Sequence, residues 1–217
     1  MTSKTVYIMK EQHEFVFLQC DDCDIVYSKY YVDPASIYGS YKYKSSEIGS
    51  LKAHFGRYAE TFKSEFYDDI RFCEIGSNDG VFLNQLPYKW EKFGIDPSDV
   101  ARKAFLENNY TNWALVNKPL SEKMVLEEEL DNYFDVVSAS NCLAHFPELE
   151  SAFKGIFTML KSGGEFWIEV RDLDSALITN RFTDFYVEHL VAHSISSLMK
   201  VLGKIGFQYV SHETLQF

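Results

Sequence analysis

Two glycines, an asparagine and an aspartate stand together in EIGSNDG, residues 74–80, directly after the apolar run Ile70–Cys73. Glycines at the end of a buried strand let a ligand approach the backbone closely. The dinucleotide fingerprint asks for G-x-G-x-x-G, and Asn78 stands where its middle glycine belongs. Asp79 adds a carboxylate that would repel a pyrophosphate. Further on, Asp96 in FGIDPS falls near the roughly 20-residue spacing expected of an acid that accepts the two hydroxyls of a ribose. A second constellation is Tyr186, Glu188 and His189 in FYVEHL. Histidine titrates near neutral pH, so it can take a proton from a carbon beside a ketone, or equally from a hydroxyl. A neighbouring tyrosine can hydrogen-bond the oxyanion that develops.

A ligand carrying an ammonium and a sulfonium suits an acidic loop of this kind. S-adenosylmethionine is such a ligand and is the expected cofactor. Its candidate partners are Glu74, Gly76, Ser77, Asn78 and Gly80 in the loop and Asp96 beyond it.

The elements that must position these groups are legible in the hydrophobic pattern. Leu51, Phe55, Tyr58, Phe62 and Phe66 recur at helical spacing and predict an amphipathic helix. From Ile70 onward strands alternate with helices. Strands are expected at 70–75, 92–96, 113–117, 134–140, 164–170 and 207–213. Helices are expected at 80–86, 97–108, 120–131, 148–161, 182–190 and 194–205. Asp96 is placed at or near an N-cap, Pro97 in the first turn, and Gly163 and Gly164 at a helix stop. Helical spacing over 182–190 would set Tyr186 and His189 on one face. The alternation predicts an α/β fold with a mostly parallel sheet, which binds ligands beyond the carboxyl ends of its strands. Before the sheet, EFVFLQCDDCDIVYS reads as a hairpin around a Cys-Asp-Asp-Cys turn.

Composition excludes several classes. With 217 residues, 46% of them apolar, the chain can bury a sizeable core, and its net charge of −11 disfavours a nucleic-acid substrate. No apolar run approaches the roughly 18 residues of a membrane span, and no signal-peptide pattern opens the chain. Cys73 and Cys142 read as reduced core thiols, so the expected location is cytoplasmic. His193 and His212 read as structural or surface residues, and Glu127–Glu129 as a solvated helix face.

EIGSNDGVFL, GIDPSDVA, SASNCLAHFPEL, LKSGGEFWIEV and FTDFYVEHLVAHSISSL resemble, in order and spacing, successive blocks of the class I methyltransferases. The likeness runs over roughly residues 14–213 and is greatest to the C-methyltransferases of nucleotide-linked deoxysugars, with the Tyr-x-Glu-His block its most group-specific part. It implies a Rossmann-like sheet, with the last antiparallel strand absent, behind a small N-terminal hairpin and helix. Residues 1–45 would be the hairpin module and 46–217 the cofactor-binding domain. The resemblance places the methionyl-binding loop at Gly76, Ser77, Asn78 and Gly80, and the ribose acid at Asp96. Asn141 and His145 would border cofactor and substrate, Glu169 would end the fifth strand, and Tyr186, Glu188 and His189 would form the block in which a histidine acts as base. Val187 replaces the first histidine of that block.

The implied acceptor is a small molecule, a keto-sugar carbon on a nucleotide. An O-methyltransferase and a non-catalytic cofactor- or partner-binding relative stand as alternatives. The group carries a further C-terminal domain for its substrate, so a partner chain that supplies one is also an expectation. Cys20 and Cys23 match half of the group's zinc module. With the upstream pair missing and His13 the only nearby ligand, the preferred reading is a hairpin without metal.

Overall fold

A computed structural model describes residues 16–29, 43–108, 110, 112–186 and 188–214. The sequence expectation concerning His13 lies outside them. Five parallel strands form the central sheet: β3 (Arg71–Ile75), β4 (Glu91–Ile95), β5 (Ala114–Val116), β6 (Phe134–Ser140) and β7 (Leu160–Glu169). Their order is β5-β4-β3-β6-β7, so the chain leaves β3 first toward one edge and then toward the other. The crevice at that reversal, beyond the carboxyl ends of β3 and β6, is where such sheets take ligands.

Side-chain alternation divides the core between the two faces of the sheet. Phe72 and Val136 face α1 (Gly49–Glu65), whose Phe55, Ala59 and Phe62 are buried there with Phe82 and Trp90. Cys73, Ile75, Val137 and Ala139 face the other way. They meet Met124 and Val125 of α3 (Glu122–Glu127), Phe153 and Ile156 of α4 (Leu149–Met159) and Leu198 of α6 (Ile195–Ile205). The remaining helices are α2 (Asp99–Glu107), behind β4, and α5 (Leu173–Ile178), after β7. The aromatic stripe of α1 therefore packs as its spacing predicts, with Phe62 4.8 Å from the Trp167 ring. Full burial of such a side chain stabilises by about 1.5–3 kcal/mol.

β1 (Phe17–Gln19) and β2 (Val26–Ser28) form the expected hairpin, and β8 (Val191–Ala192) extends it to a three-stranded antiparallel sheet. The hairpin turn is docked on α6 by ion pairs from Asp22 to Lys204 and from Asp24 to Lys200. Among the described residues, no group of three or more His, Cys, Asp or Glu is placed to hold a metal ion, and no helix is long and apolar enough to cross a membrane.

Several expected elements differ. Gly163 and Gly164 do not stop a helix: α4 ends at Met159 and the glycines lie inside β7. There Phe134 pairs with Leu160 and Val136 with Glu165, an irregularity that Gly163 allows with φ +78°. Residues 80–86 hold a 3₁₀ turn, Leu83–Gln85. Residues 207–214 form no strand: Phe207 packs on Phe157 and Phe166, but Tyr209 and Val210 beyond it are exposed and the segment meets no ladder. Residues 182–190 are not helical either. They hold a 3₁₀ turn, Phe182–Asp184, followed by irregular chain whose backbone bonds run elsewhere, as from Leu190 N–H to Ala144 O at 2.7 Å.

Candidate active site

The loop leaving β3 has three residues with left-handed backbone: Gly76 (φ +73°), Asn78 (φ +47°) and Gly80 (φ +74°). A side chain at Gly76 would put its Cβ 2.7 Å from that of Cys142, and one at Gly80 would meet the Trp113 ring at 2.5 Å. The glycines are thus required by both conformation and space. Gly76 N–H donates to Ile95 O at 2.8 Å, which joins the loop to the end of β4.

Asp96, just beyond β4, is buried, and each of its carboxylate oxygens accepts a backbone N–H at 2.8 Å: Oδ2 from Asn78 and Oδ1 from Ser98. It steadies the glycine loop and the entry to α2 together, while the helix N-cap itself is Ser98, two residues after Asp96. A carboxylate has about four lone-pair sites, so two remain for a ligand. Glu74, at the end of β3, is buried. Burial, then the nearby charges of Asp96 and Asp79, hold its carboxyl well above the usual carboxylate range. Glu74 Oε2, Ser77 Oγ and Asp79 Oδ1 are buried without protein partners. An acidic, glycine-lined cradle with unpartnered acceptors fits the ammonium, sulfonium and ribose of S-adenosylmethionine. Cys142 Sγ donates to Ile75 O at 3.2 Å, and burial pushes its thiol up, so it stays protonated.

A strap formed by Tyr43–Glu47 crosses this loop. Ser45 N–H donates to Asn78 Oδ1 at 3.0 Å, Ser46 N–H to Asp79 Oδ2 at 3.1 Å, and Asn78 Nδ2 to Tyr43 O at 3.1 Å. The Asn78 side chain thus bonds the strap and its backbone N–H bonds Asp96, while the residue lines the cleft. The strap leads into α1, which reaches the ends of β6 and β7. His54 Nε2 donates to Glu169 Oε2 at 2.8 Å, and Tyr58 meets Ser138 Oγ at 3.3 Å. Asn141 (φ +54°) donates from Nδ2 to Glu169 Oε1 at 2.7 Å and from its backbone to Glu169 O at 2.8 Å. His54, Tyr58 and Ser138 are absent from the sequence-based list. Their one signal is position in an apolar stripe or strand, which reads as packing.

On the other side of the cleft His145, Tyr186 and His189 come together. The His145 and His189 rings lie 4.9 Å apart edge-on, and the Tyr186 and His189 centroids 3.9 Å apart. His189 Nδ1 lies 2.7 Å from Asp184 O, and His145 Nδ1 2.9 Å from Glu188 O. A carbonyl can only accept, so both rings carry their proton on Nδ1 and present the Nε2 lone pair. Burial, then the charge of His145 and Arg171, holds His189 down at about 4, and burial lowers His145 too. Both are neutral at pH 7. Burial raises the Tyr186 phenol, which keeps it a donor. Glu188 orients His145 through its backbone carbonyl and not through its carboxylate.

The strand order and the parallel sheet are those of the Rossmann-like class I methyltransferases. The chain belongs to the methyltransferase domain family, whose profile matches residues 50–212. It is 25% identical over 199 residues to the C-methyltransferase NovU of Streptomyces niveus, covering 90% of this chain and 47% of that one. To the sterol 24-C-methyltransferase erg-4 of Neurospora crassa it is 30% identical over 95 residues, 39% of this chain and 24% of that one. The chain thus spans about half or less of the length of the curated relatives it matches. Among solved structures it resembles a SAM-dependent methyltransferase from Archaeoglobus fulgidus (TM-score 0.58, 23% identity, 73% of this chain and 68% of that one). It also resembles the CurJ carbon methyltransferase (TM-score 0.59, 16% identity, 79% of this chain and 52% of that one).

Proposed function

We propose that the chain transfers a methyl group from S-adenosylmethionine to carbon in a small ketone-bearing acceptor, a nucleotide-linked keto-sugar in the fullest form of the reading. The supporting observation is the placing of two opposed groups on one cleft: the Asp96-anchored glycine loop on one side, and the neutral His189 with its Nε2 lone pair on the other. Glu74, Gly76, Ser77, Gly80, Asp96 and Asn141 would hold the cofactor, and Asn78 would act through the strap. When bound, S-adenosylmethionine supplies an electrophilic methyl group on a sulfonium.

His189 Nε2 takes the proton from the carbon beside the acceptor ketone, leaving an enolate. Tyr186 donates a hydrogen bond to the oxygen that gains charge. His145 walls the site beside it, and Glu188 sets the His145 tautomer. Carbon as the atom methylated is favoured by the names of NovU, the sterol enzymes and CurJ, each a carbon methyltransferase. In this reading residues 46–217 are the catalytic domain, residues 1–45 its hairpin module, and a partner chain can contribute to acceptor binding.

The test is calorimetric titration with S-adenosylmethionine and S-adenosylhomocysteine, followed by turnover on keto-sugars against plain alcohols. Micromolar binding of both ligands is expected. His189→Gln should keep that affinity while lowering turnover by about a hundredfold or more, the usual scale for a general base. An unchanged rate removes His189 from the chemistry, and turnover on alcohols alone makes the protein an O-methyltransferase.

A further inference from the structure

Among the described residues, three cations line the cleft: Lys161, Arg171 and Arg181. Lys161 lies at the far end of the ten-residue strand β7, bound to Asp135 at 2.6 Å. Arg171 and Arg181 are at the catalytic end. Arg171 lies two residues past the end of β7, beside Asp172, which caps α5 by accepting from Ser175 N–H at 3.0 Å. Arg181 follows α5 and is pinned by its N–H to Ala176 O at 2.8 Å. Both guanidiniums converge on one carboxylate. Asp184 Oδ1 accepts from Arg171 Nη1, and Asp184 Oδ2 lies 3.7 Å from Arg181 Nε.

That carboxylate lies beneath the two cations. The Asp184 side chain is 7% exposed, against 62% for Arg171 and 50% for Arg181. Two positive charges on one negative charge leave a surplus of one. The surplus is conspicuous in a chain of net charge −11, whose cleft is otherwise lined by carboxylates such as Asp96, Glu169 and Asp172. Asp184 also connects this cluster to the base, because its backbone carbonyl accepts from His189 Nδ1 at 2.7 Å. Arg171 lines the same cleft as His189, Tyr186 and Tyr43.

We infer that Arg171 and Arg181, splayed by the buried carboxylate of Asp184, form an oxyanion-binding subsite that holds an anionic group of the acceptor, a phosphate or a carboxylate, beside His189. A guanidinium presents its donors in a fixed planar fork that matches such oxygens two at a time. The subsite rests on the methyl-transfer reading for its purpose, though not for its existence. It assigns the acceptor a charge opposite to that of the cofactor's sulfonium.

The experiment titrates the full chain with pyrophosphate and, separately, with acetate, by calorimetry at low ionic strength. Single-site binding of one of them is expected. Pyrophosphate marks the acceptor as a phosphate ester, and acetate marks it as an acid. Arg171→Met should weaken that binding about tenfold or more, the scale of one charged hydrogen bond. Arg171→Lys keeps the charge and the ion pair with Asp184 but loses the fork, and should weaken it measurably in a protein that still folds. Lys103→Met, on the exposed face of α2, should change nothing. If neither anion binds, or if Arg171→Met and Arg171→Lys bind as the wild type does, the subsite does not exist. A parallel titration with S-adenosylhomocysteine keeps the two readings apart. Cofactor binding without anion binding overturns only the subsite, and anion binding without cofactor binding overturns only the methyl-transfer reading.

Discussion

Asp96→Asn separates the two roles that the Asp96 carboxylate holds at once. In the native site Oδ1 and Oδ2 each accept a backbone N–H at 2.8 Å, from Ser98 and Asn78. Asparagine keeps one acceptor and turns a second donor against a backbone donor. One charge-assisted hydrogen bond worth about 1.5–3 kcal/mol is lost, and a buried N–H is left without its partner. If the lost partner is Asn78, the glycine loop loosens where the strap is tied to it. A ribose hydroxyl would also meet a neutral acceptor in place of a charged one. At about 1.4 kcal/mol per factor of ten, affinity for S-adenosylhomocysteine should fall roughly 10- to 150-fold. Calorimetry at 25 °C measures that fall, and urea unfolding of the same preparation measures the stability change. Asp96→Ala orphans both N–H groups and should cost about 2–6 kcal/mol of stability, enough to unfold a marginal domain, so asparagine is the informative variant. A protein that loses stability but binds S-adenosylhomocysteine as tightly as before would refute the ribose role and leave Asp96 as a turn residue.

Gly76→Ala should reduce cofactor affinity more than stability. A left-handed φ of +73° costs an alanine about 1–2 kcal/mol. Its Cβ would lie 2.7 Å from that of Cys142, so the loop must shift, and calorimetry beside thermal unfolding reads both effects. Burial holds the His193 imidazole at about 4, against about 6.5 when exposed. Between those values the unfolded chain binds the extra proton, so stability is full above pH 6.5 and falls as pH drops toward 4. Linkage gives a loss of about 2 kcal/mol between pH 7 and pH 5. Urea unfolding of wild type and His193→Gln at both pH values should differ by that amount, and parallel curves would count against it. With His189 also held at about 4 by burial, the acid limb of kcat/KM should fall near pH 4 to 5. A limb near 6.5 would mean that His189 is solvated in the free enzyme.

Five of the six expected strands form, each an apolar run closed by polar residues, and the sixth, 207–213, does not. The expected 134–140 coincides with Phe134–Ser140, and 70–75 differs from Arg71–Ile75 by one residue. The glycine loop and Asp96 were legible by type and spacing. What failed was whatever depends on contacts distant in sequence. Gly163 reads locally as a helix stop, and only its pairing with β6 makes it an irregularity in a strand. His54 reads as one polar residue beside an aromatic stripe, because its partner Glu169 is 115 residues away. The bonds of the Asn78 side chain to the strap were not legible either, because the strap lies 33 to 35 residues upstream.

The Tyr-x-Glu-His block shows how such a failure bears on chemistry. A helix over 182–190 would have brought Tyr186 and His189 to one face, and the two rings do meet. A helix would also have given the Asp184 carbonyl to the N–H of residue 188, four residues on. The 3₁₀ turn and the irregular chain after it leave the Asp184 and Glu188 carbonyls free for His189 and His145. Those two bonds put the ring protons on Nδ1 and aim both Nε2 lone pairs outward. His189, the base we propose, was readable as a candidate from its neighbours in sequence. Its tautomer depends on the absence of the helix that made the block recognisable as a unit.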